Sequence, residues 1–67
     1  MSSKKNRIDG LELKIARIRK GLTLAELGRR VGVSHMFLSY LERGERNPGP
    51  ETYEKLVREL GEIPKAS

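Results

Sequence analysis

The sequence predicts an all-α fold, a compact bundle of four or five short helices. Three observations carry that prediction. Helix start and stop signals recur at short intervals along the chain. The apolar residues between them repeat at spacings of three and four. No run alternates apolar and polar residues with the period of two that a half-buried strand requires.

The first helix starts at Asp9, which with Glu12 fits a capping box, each side chain satisfying a free backbone N–H of the first turn. Ile8 before the cap and Leu13 after it fit a hydrophobic staple. Ile8, Leu11, Ile15, Ile18 and Leu22 align as one apolar stripe, the expected buried face. Gly21 stands where a left-handed residue stops the helix. The second helix repeats the pattern. Thr23 and Glu26 form its capping box and Leu22 and Leu27 its staple. Leu24, Leu27 and Val31 form its core face, and Gly32 is its stop. Ser34 caps a third helix over about residues 34–43, with Val33 and Leu38 as staple, Leu38 and Leu41 inward and Gly44 as stop. Glu45–Gly49 (Glu-Arg-Asn-Pro-Gly) is turn chemistry. Pro50 suits the first position of a fourth helix, and Glu51 suits its positive N-terminal end. Tyr53, Leu56, Val57 and Leu60 form its stripe, and Gly61 and Pro64 end it. The expected organisation is a basic arm over residues 1–7, a folded unit over 8–61 and a short tail over 62–67.

Composition narrows the function. The chain has 67 residues, enough for one small core with on the order of 3–5 kcal/mol of stability. It has no cysteine, so it carries no disulfide framework and no thiolate metal site. One histidine, no Gly-rich phosphate loop and no nucleophile beside a base argue against an enzyme and against any cofactor or metal. No apolar run approaches the roughly 20 residues of a membrane span. Met1–Arg7 is polar and basic with no apolar segment behind it, unlike a signal peptide, so a cytoplasmic location is expected. The net charge of +5 is unevenly placed: +5 on residues 1–20, +1 on 21–49 and −1 on 50–67. Such asymmetry points to a polyanionic partner.

The second and third helices are joined by Gly32-Val33-Ser34. A short Gly-containing turn between two short helices is the helix-turn-helix unit. Gly28 stands where the third helix must approach closely, and Gly32 supplies the positive φ of the turn. Leu27, Val31, Val33, Leu38 and Leu41 fill the wedge between the two helices.

The run LTLAELGRRVGVSHMFLSYLERGERNP (Leu22–Pro48) resembles the XRE family, which includes the lambda-type repressors and Cro proteins. The resemblance extends from about Ile8 to Leu60 and is most specific over Leu41–Pro48. It implies a bundle of four or five helices that binds operator DNA as a dimer. It also implies an ion pair between Arg17, four residues before Gly21, and Glu42 of the Glu-Arg-Gly segment. The chain departs from the family at two places. Leu24 stands where the family usually has a Gln that contacts a phosphate and supports the next helix. Only Glu62–Ser67 remains where a fifth, often dimerising, helix usually follows.

In this motif the third helix enters the major groove. With Leu38 and Leu41 inward, the expected base-reading residues are His35, Met36, Ser39 and Tyr40, the last two within reach of either a base edge or a phosphate. Expected phosphate contacts are Thr23 and Ser34 at helix starts, and Arg43, Arg46 and Asn47 at and after the third helix. Lys4, Lys5 and Arg7 form either an arm that follows the DNA or a solubilising tail. Met36 and Phe37 have a second reading, packing on the fourth helix. Arg29 and Arg30 are placed on a solvated face. No Arg–guanine or Gln–adenine pairing is available on the reading face, so modest direct readout with a contribution from DNA shape is expected.

The expected function is a sequence-specific transcriptional regulator, a repressor, on double-stranded DNA. It would bind a palindromic operator as a homodimer, with recognition helices about 34 Å apart. Leu60 and Ile63, at the end of the fourth helix, are the expected dimer contact. The alternative is a protein-interaction module of the same fold, an antitoxin or adaptor with a protein partner. Leu24, the Met36–Phe37 pair and the lack of a strong base reader favour that alternative.

Overall fold

Each helix begins where a side chain or a proline satisfies its first turn. In the computed structural model, which describes residues 8–63, four helices follow one another: α1 (Gly10–Arg19), α2 (Leu24–Val31), α3 (His35–Glu42) and α4 (Pro50–Leu60). No strand occurs among the described residues. At α1 the Asp9 carboxylate accepts from the amides of Leu11 at 3.0 Å and Glu12 at 3.3 Å. At α2 the capping box is complete, Glu26 N–H donating to Thr23 Oγ1 at 3.0 Å and Thr23 N–H to Glu26 Oε1 at 2.8 Å. Ser34 Oγ accepts from Phe37 N–H at 3.1 Å to open α3. Gly49 is the N-cap of α4, with Pro50 in its first turn in place of a side-chain cap.

The turn between α2 and α3 is set by two glycines. Gly32 takes a left-handed φ of 79°, and the amides of Gly32 and Val33 both donate to the Gly28 carbonyl, at 2.7 and 3.0 Å. The chain thereby folds back over Gly28. A Cβ on Gly28 would lie 2.5 Å from the Val33 carbonyl oxygen. The neighbour that forbids a side chain is the carbonyl of the turn, not the body of α3 as the sequence suggested.

The core gathers one face of every helix: Leu13 of α1, Leu27 and Val31 of α2, Leu38 and Leu41 of α3, Leu56 and Leu60 of α4, with Ile8 and Ile63 closing its ends. Leu22, Leu24, Val33, Phe37 and Tyr53 pack around it. Two expectations are corrected here. The stripe expected to face inward on α1 does so only at its two ends, Ile8 and Leu22: Leu11 is 62% exposed and Ile18 57% exposed, while Leu13, outside the stripe, is fully buried. The true inner face runs through Gly10, Leu13, Ala16 and Arg17. It holds a glycine because α1 meets backbone there. A Cβ on Gly10 would lie 2.6 Å from the Leu41 carbonyl oxygen and closer still to that of Glu42. It holds an arginine because that side chain is paired.

The second correction concerns the end of the chain. Leu60 and Ile63, expected to form the dimer contact, are 7% and 2% exposed and belong to the core. Gly61, at φ 87° and ψ −170°, turns the chain after α4 so that Ile63 returns to the bundle. The folded unit therefore extends past residue 61, and the expected tail contributes to the core.

Arg17 and Glu42 tie α1 to the end of α3. Arg17 Nε donates to Glu42 Oε2 at 2.7 Å and Nη2 to Oε1 at 3.3 Å, a forked pair. Nη1 donates to the Leu22 carbonyl in the α1–α2 turn at 2.8 Å. Both side chains are largely buried, at 12% and 7% exposure. Arg30 and Glu59 link α2 to α4 at 3.3 Å in a more exposed pair, of a kind that contributes about 0–1 kcal/mol.

Two substitutions test this packing. Arg17→Ala strands the Glu42 carboxylate and is expected to cost about 3 kcal/mol, most of the domain's stability, and so to lower its melting temperature sharply; an unchanged circular-dichroism melting curve would refute the assignment. Gly10→Ala is expected to lower stability by about 1–3 kcal/mol through overpacking. Gly49→Ala, where no atom lies within 4 Å of the added Cβ, should lower the urea midpoint less than Gly10→Ala does, costing at most about 1 kcal/mol through a poorer N-cap.

Candidate nucleic-acid interface

The burial of Leu38 and Leu41 fixes how α3 is rotated. On the opposite side His35, Met36 and Arg43 are exposed, and Ser39 and Tyr40 are half-buried. Met36 is 57% exposed, one of three large apolar residues so open among those described. Phe37 packs against the core, so the two readings of the Met36–Phe37 pair divide between the residues: Phe37 packs and Met36 faces out.

The segment after α3 is held in a defined course. Gly44 N–H donates to the Leu41 carbonyl at 3.1 Å and Glu45 N–H to the Tyr40 carbonyl at 2.9 Å. With Gly44 at φ 76° this is a Schellman motif. Pro48 is buried and anchors the far end. Between these anchors Arg43, Arg46 and Asn47 are exposed. The Arg43 guanidinium lies 5.1 Å from the centroid of the Tyr40 ring and that of Arg46 5.8 Å. Arg43 Nε is also 3.6 Å from Glu45 Oε2. The sequence reading missed both the buried Pro48 and the convergence on Tyr40. The Glu45–Gly49 turn chemistry located the loop, but nothing in the residue order says which way the arginines turn.

Thr23 and Ser34 stand at the first turns of α2 and α3. The start of α2 is less open to an anion than its position suggests. Glu26 occupies the Thr23 amide, and its carboxyl is held below the usual carboxylate range by that hydrogen bond, by the Thr23 hydroxyl, and by the charges of Arg29 and Arg30. Leu24 packs against the core where the family places a polar side chain. The amides of Leu24 and Ala25, which no intrahelical carbonyl reaches, remain the donors available there. Arg29 and Arg30 are exposed. Lys4, Lys5 and Arg7 lie outside the described residues.

Two eight-residue helices joined by a glycine turn, with the second turned outward beside a basic loop, define a helix-turn-helix domain. The helix-turn-helix family profile matches residues 13–65, and the chain belongs to that family, in its XRE group. It is 50% identical over 48 residues to y4dJ, an HTH-type transcriptional regulator of Sinorhizobium fredii, covering 69% of this chain and 62% of that one. It is 42% identical over 52 residues to an HTH-type transcriptional regulator of Mycobacterium tuberculosis, covering 78% of this chain and only 20% of the relative. The chain thus spans about a fifth of the length of its mycobacterial relatives. Among solved structures it is similar to the clp gene regulator ClgR from Corynebacterium glutamicum, with a TM-score of 0.73 and 38% identity over 78% of this chain and 55% of that one. It is also similar to SinR, the master regulator for biofilm formation, solved in complex with DNA: TM-score 0.70, 36% identity, 76% of this chain and 82% of that one. SinR has been solved in complex with the SinI protein as well, with the same TM-score. No helix among the described residues is long and apolar enough to cross a membrane.

The capping box makes a pH prediction. A carboxyl whose folded-state pKa is depressed stabilises the fold above its unfolded value, near 4.5 for Glu26, and that contribution is lost as pH falls through the folded value. Glu26→Gln keeps a hydrogen-bonding side chain at this position but cannot titrate. Its urea midpoint is expected to fall less between pH 5 and pH 3 than that of the wild type; equal slopes would refute the role of Glu26.

Proposed function

We propose that this chain is a sequence-specific DNA-binding transcriptional regulator, a repressor, that inserts α3 into the major groove. The observation that carries this reading is the outward face of α3 beside a structurally fixed basic loop. His35 and Met36 sit at the N-terminal end of α3, where this motif meets base edges, with Ser39 and Tyr40 one turn on. His35 offers a donor or acceptor and Met36 an apolar contact for a thymine methyl. Arg43, Arg46 and Asn47 contact phosphates at one side, and the helix starts at Thr23 and Ser34 contact them at the other, the first through the amides of Leu24 and Ala25 that follow the Thr23 cap. Lys4, Lys5 and Arg7, outside the described residues, add positive charge for the DNA backbone. The chain works in the cytoplasm, without cofactor or metal and not as an enzyme. It binds a palindromic operator as a homodimer, because one small domain covers too little DNA for tight specific binding.

A second reading, a protein-interaction module of the same fold, has one observation in its favour. Leu24 turns to the core, so α2 begins without the phosphate-contacting side chain usual in the family. One experiment separates the two. The protein is titrated against a randomised duplex pool at two salt concentrations and the retained DNA is sequenced. Enrichment of a palindrome, with affinity falling steeply as salt rises, is expected of the regulator. Retention without enrichment would move the case to the interaction module. On the enriched site, Arg46→Gln is expected to reduce the slope of log K against log salt by about one while leaving the sequence preference intact. His35→Ala is expected to relax the preference at one position of each half-site, by about 0.5–1.5 kcal/mol of discrimination, the worth of one hydrogen bond.

A further inference from the structure

The Tyr40 ring stands at the point where two guanidinium groups converge, 5.1 Å from that of Arg43 and 5.8 Å from that of Arg46. Both distances lie within the reach of about 6 Å over which a ring face attracts a cation. The two arginines are three positions apart, on either side of the Gly44 turn. Arg43 is the C-cap residue of α3, and Arg46 follows the Gly44 turn. Each has a long, many-rotamer side chain, and each is exposed. Left to themselves they would spread apart, since like charges repel. Glu45, 3.6 Å from Arg43, supplies one carboxylate for two guanidinium groups, so the cluster keeps a net positive charge.

We propose that Tyr40 is a positioning residue. Its ring is a shelf that holds Arg43 and Arg46 together as a paired clamp for DNA phosphates, in place of the base contact that its position on α3 suggests. This rests on the regulator reading above. The physical basis is the shape of the guanidinium group. A guanidinium stacked by its face on a ring keeps its edge N–H donors free for bidentate contact with a phosphate. A shelf that gathers two such groups removes rotamer freedom before DNA arrives, so less is lost on binding. A phosphate between them relieves the repulsion that their proximity creates.

The clamp is tested by a double-mutant cycle on the selected duplex and on a scrambled one, with Tyr40→Leu, Arg46→Gln, the pair, and Tyr40→Phe. Circular dichroism confirms that each variant folds. Tyr40→Leu is expected to weaken binding about three- to tenfold on both duplexes, with the enriched sequence unchanged. Tyr40→Phe, which keeps the ring, should bind as the wild type does. In the Arg46→Gln background the loss from Tyr40→Leu should shrink by at least about twofold. Equal losses in both backgrounds, a Tyr40→Phe defect as large as that of Tyr40→Leu, or a loss confined to the selected duplex would each overturn the clamp. Ring-current shifts of the Arg43 and Arg46 side-chain protons in the free protein give a readout that needs no DNA. Shifts that vanish in Tyr40→Leu support the shelf, and their absence from the wild type overturns it. Failure of the wild-type protein to bind any duplex would instead remove the regulator reading.

Discussion

The guanidinium group of Arg17 is where three parts of the chain meet. It joins the end of α1 to the carbonyl of Leu22 in the turn before α2 and to the carboxylate of Glu42, the last residue of α3. Two turns earlier on the same helix, Gly10 lies against the carbonyls of Leu41 and Glu42. The C-terminal end of α3 is thus held at two points, one by contact and one by charge. Neither α2 nor α3 is longer than eight residues, and helices this short do not persist in water on propensity alone. Their mutual packing and the α1 clamp supply what length cannot. A largely buried ion pair is not a large source of net stability, because desolvation offsets much of its attraction. What it does here is fix the position of α3 relative to the other helices, and the outward face of α3 inherits that position.

Most of the fold was legible because its signals are local. A cap is a hydrogen bond between residues three apart, and Thr23 with Glu26 and Ser34 with Phe37 form where the spacing places them. Gly32 reads as a turn because only the chain's own backbone decides its φ. The α2–α3 wedge was legible for a similar reason, since Leu27, Val31, Leu38 and Leu41 lie within 15 consecutive residues on either side of the Gly32 turn. The failures share a cause as well. On α1 the period of the apolar residues selected Leu11, Ile15 and Ile18, while the structure selects a face containing Gly10 and Arg17. Hydrophobic counting discards a glycine and an arginine, and here the first permits backbone contact and the second is neutralised by a partner 25 positions away. Ile63 was read as tail because Gly61 ends α4, but ending a helix does not end its packing.

The interface divides in the same way. Which side chains of α3 point outward followed from which leucines point in. How the arginines beyond α3 arrange themselves did not follow, since it depends on the Schellman turn at Gly44, the buried Pro48 and the place of the Tyr40 ring. The start of α2 gives the opposite lesson. Sequence marks it as an anion site by helix position, yet Glu26 already brings a carboxylate to that end and Leu24 withdraws into the core. Stabilising a short helix and leaving its N-terminus open to phosphate are competing demands, and here part of the end has gone to stability.

The outward placement of His35 and Met36 has an evolutionary consequence. Neither belongs to the core, and the cap that opens α3 is made by Ser34 with a backbone amide. Their side chains are therefore nearly free of the duties that keep the domain folded. Changes at these two positions alter the chemistry shown to a partner at almost no cost in stability, so a duplicated copy can acquire a new preference in single steps without passing through an unfolded intermediate. A domain with only a few kcal/mol in reserve tolerates little else, and divergence among copies should collect on this one surface.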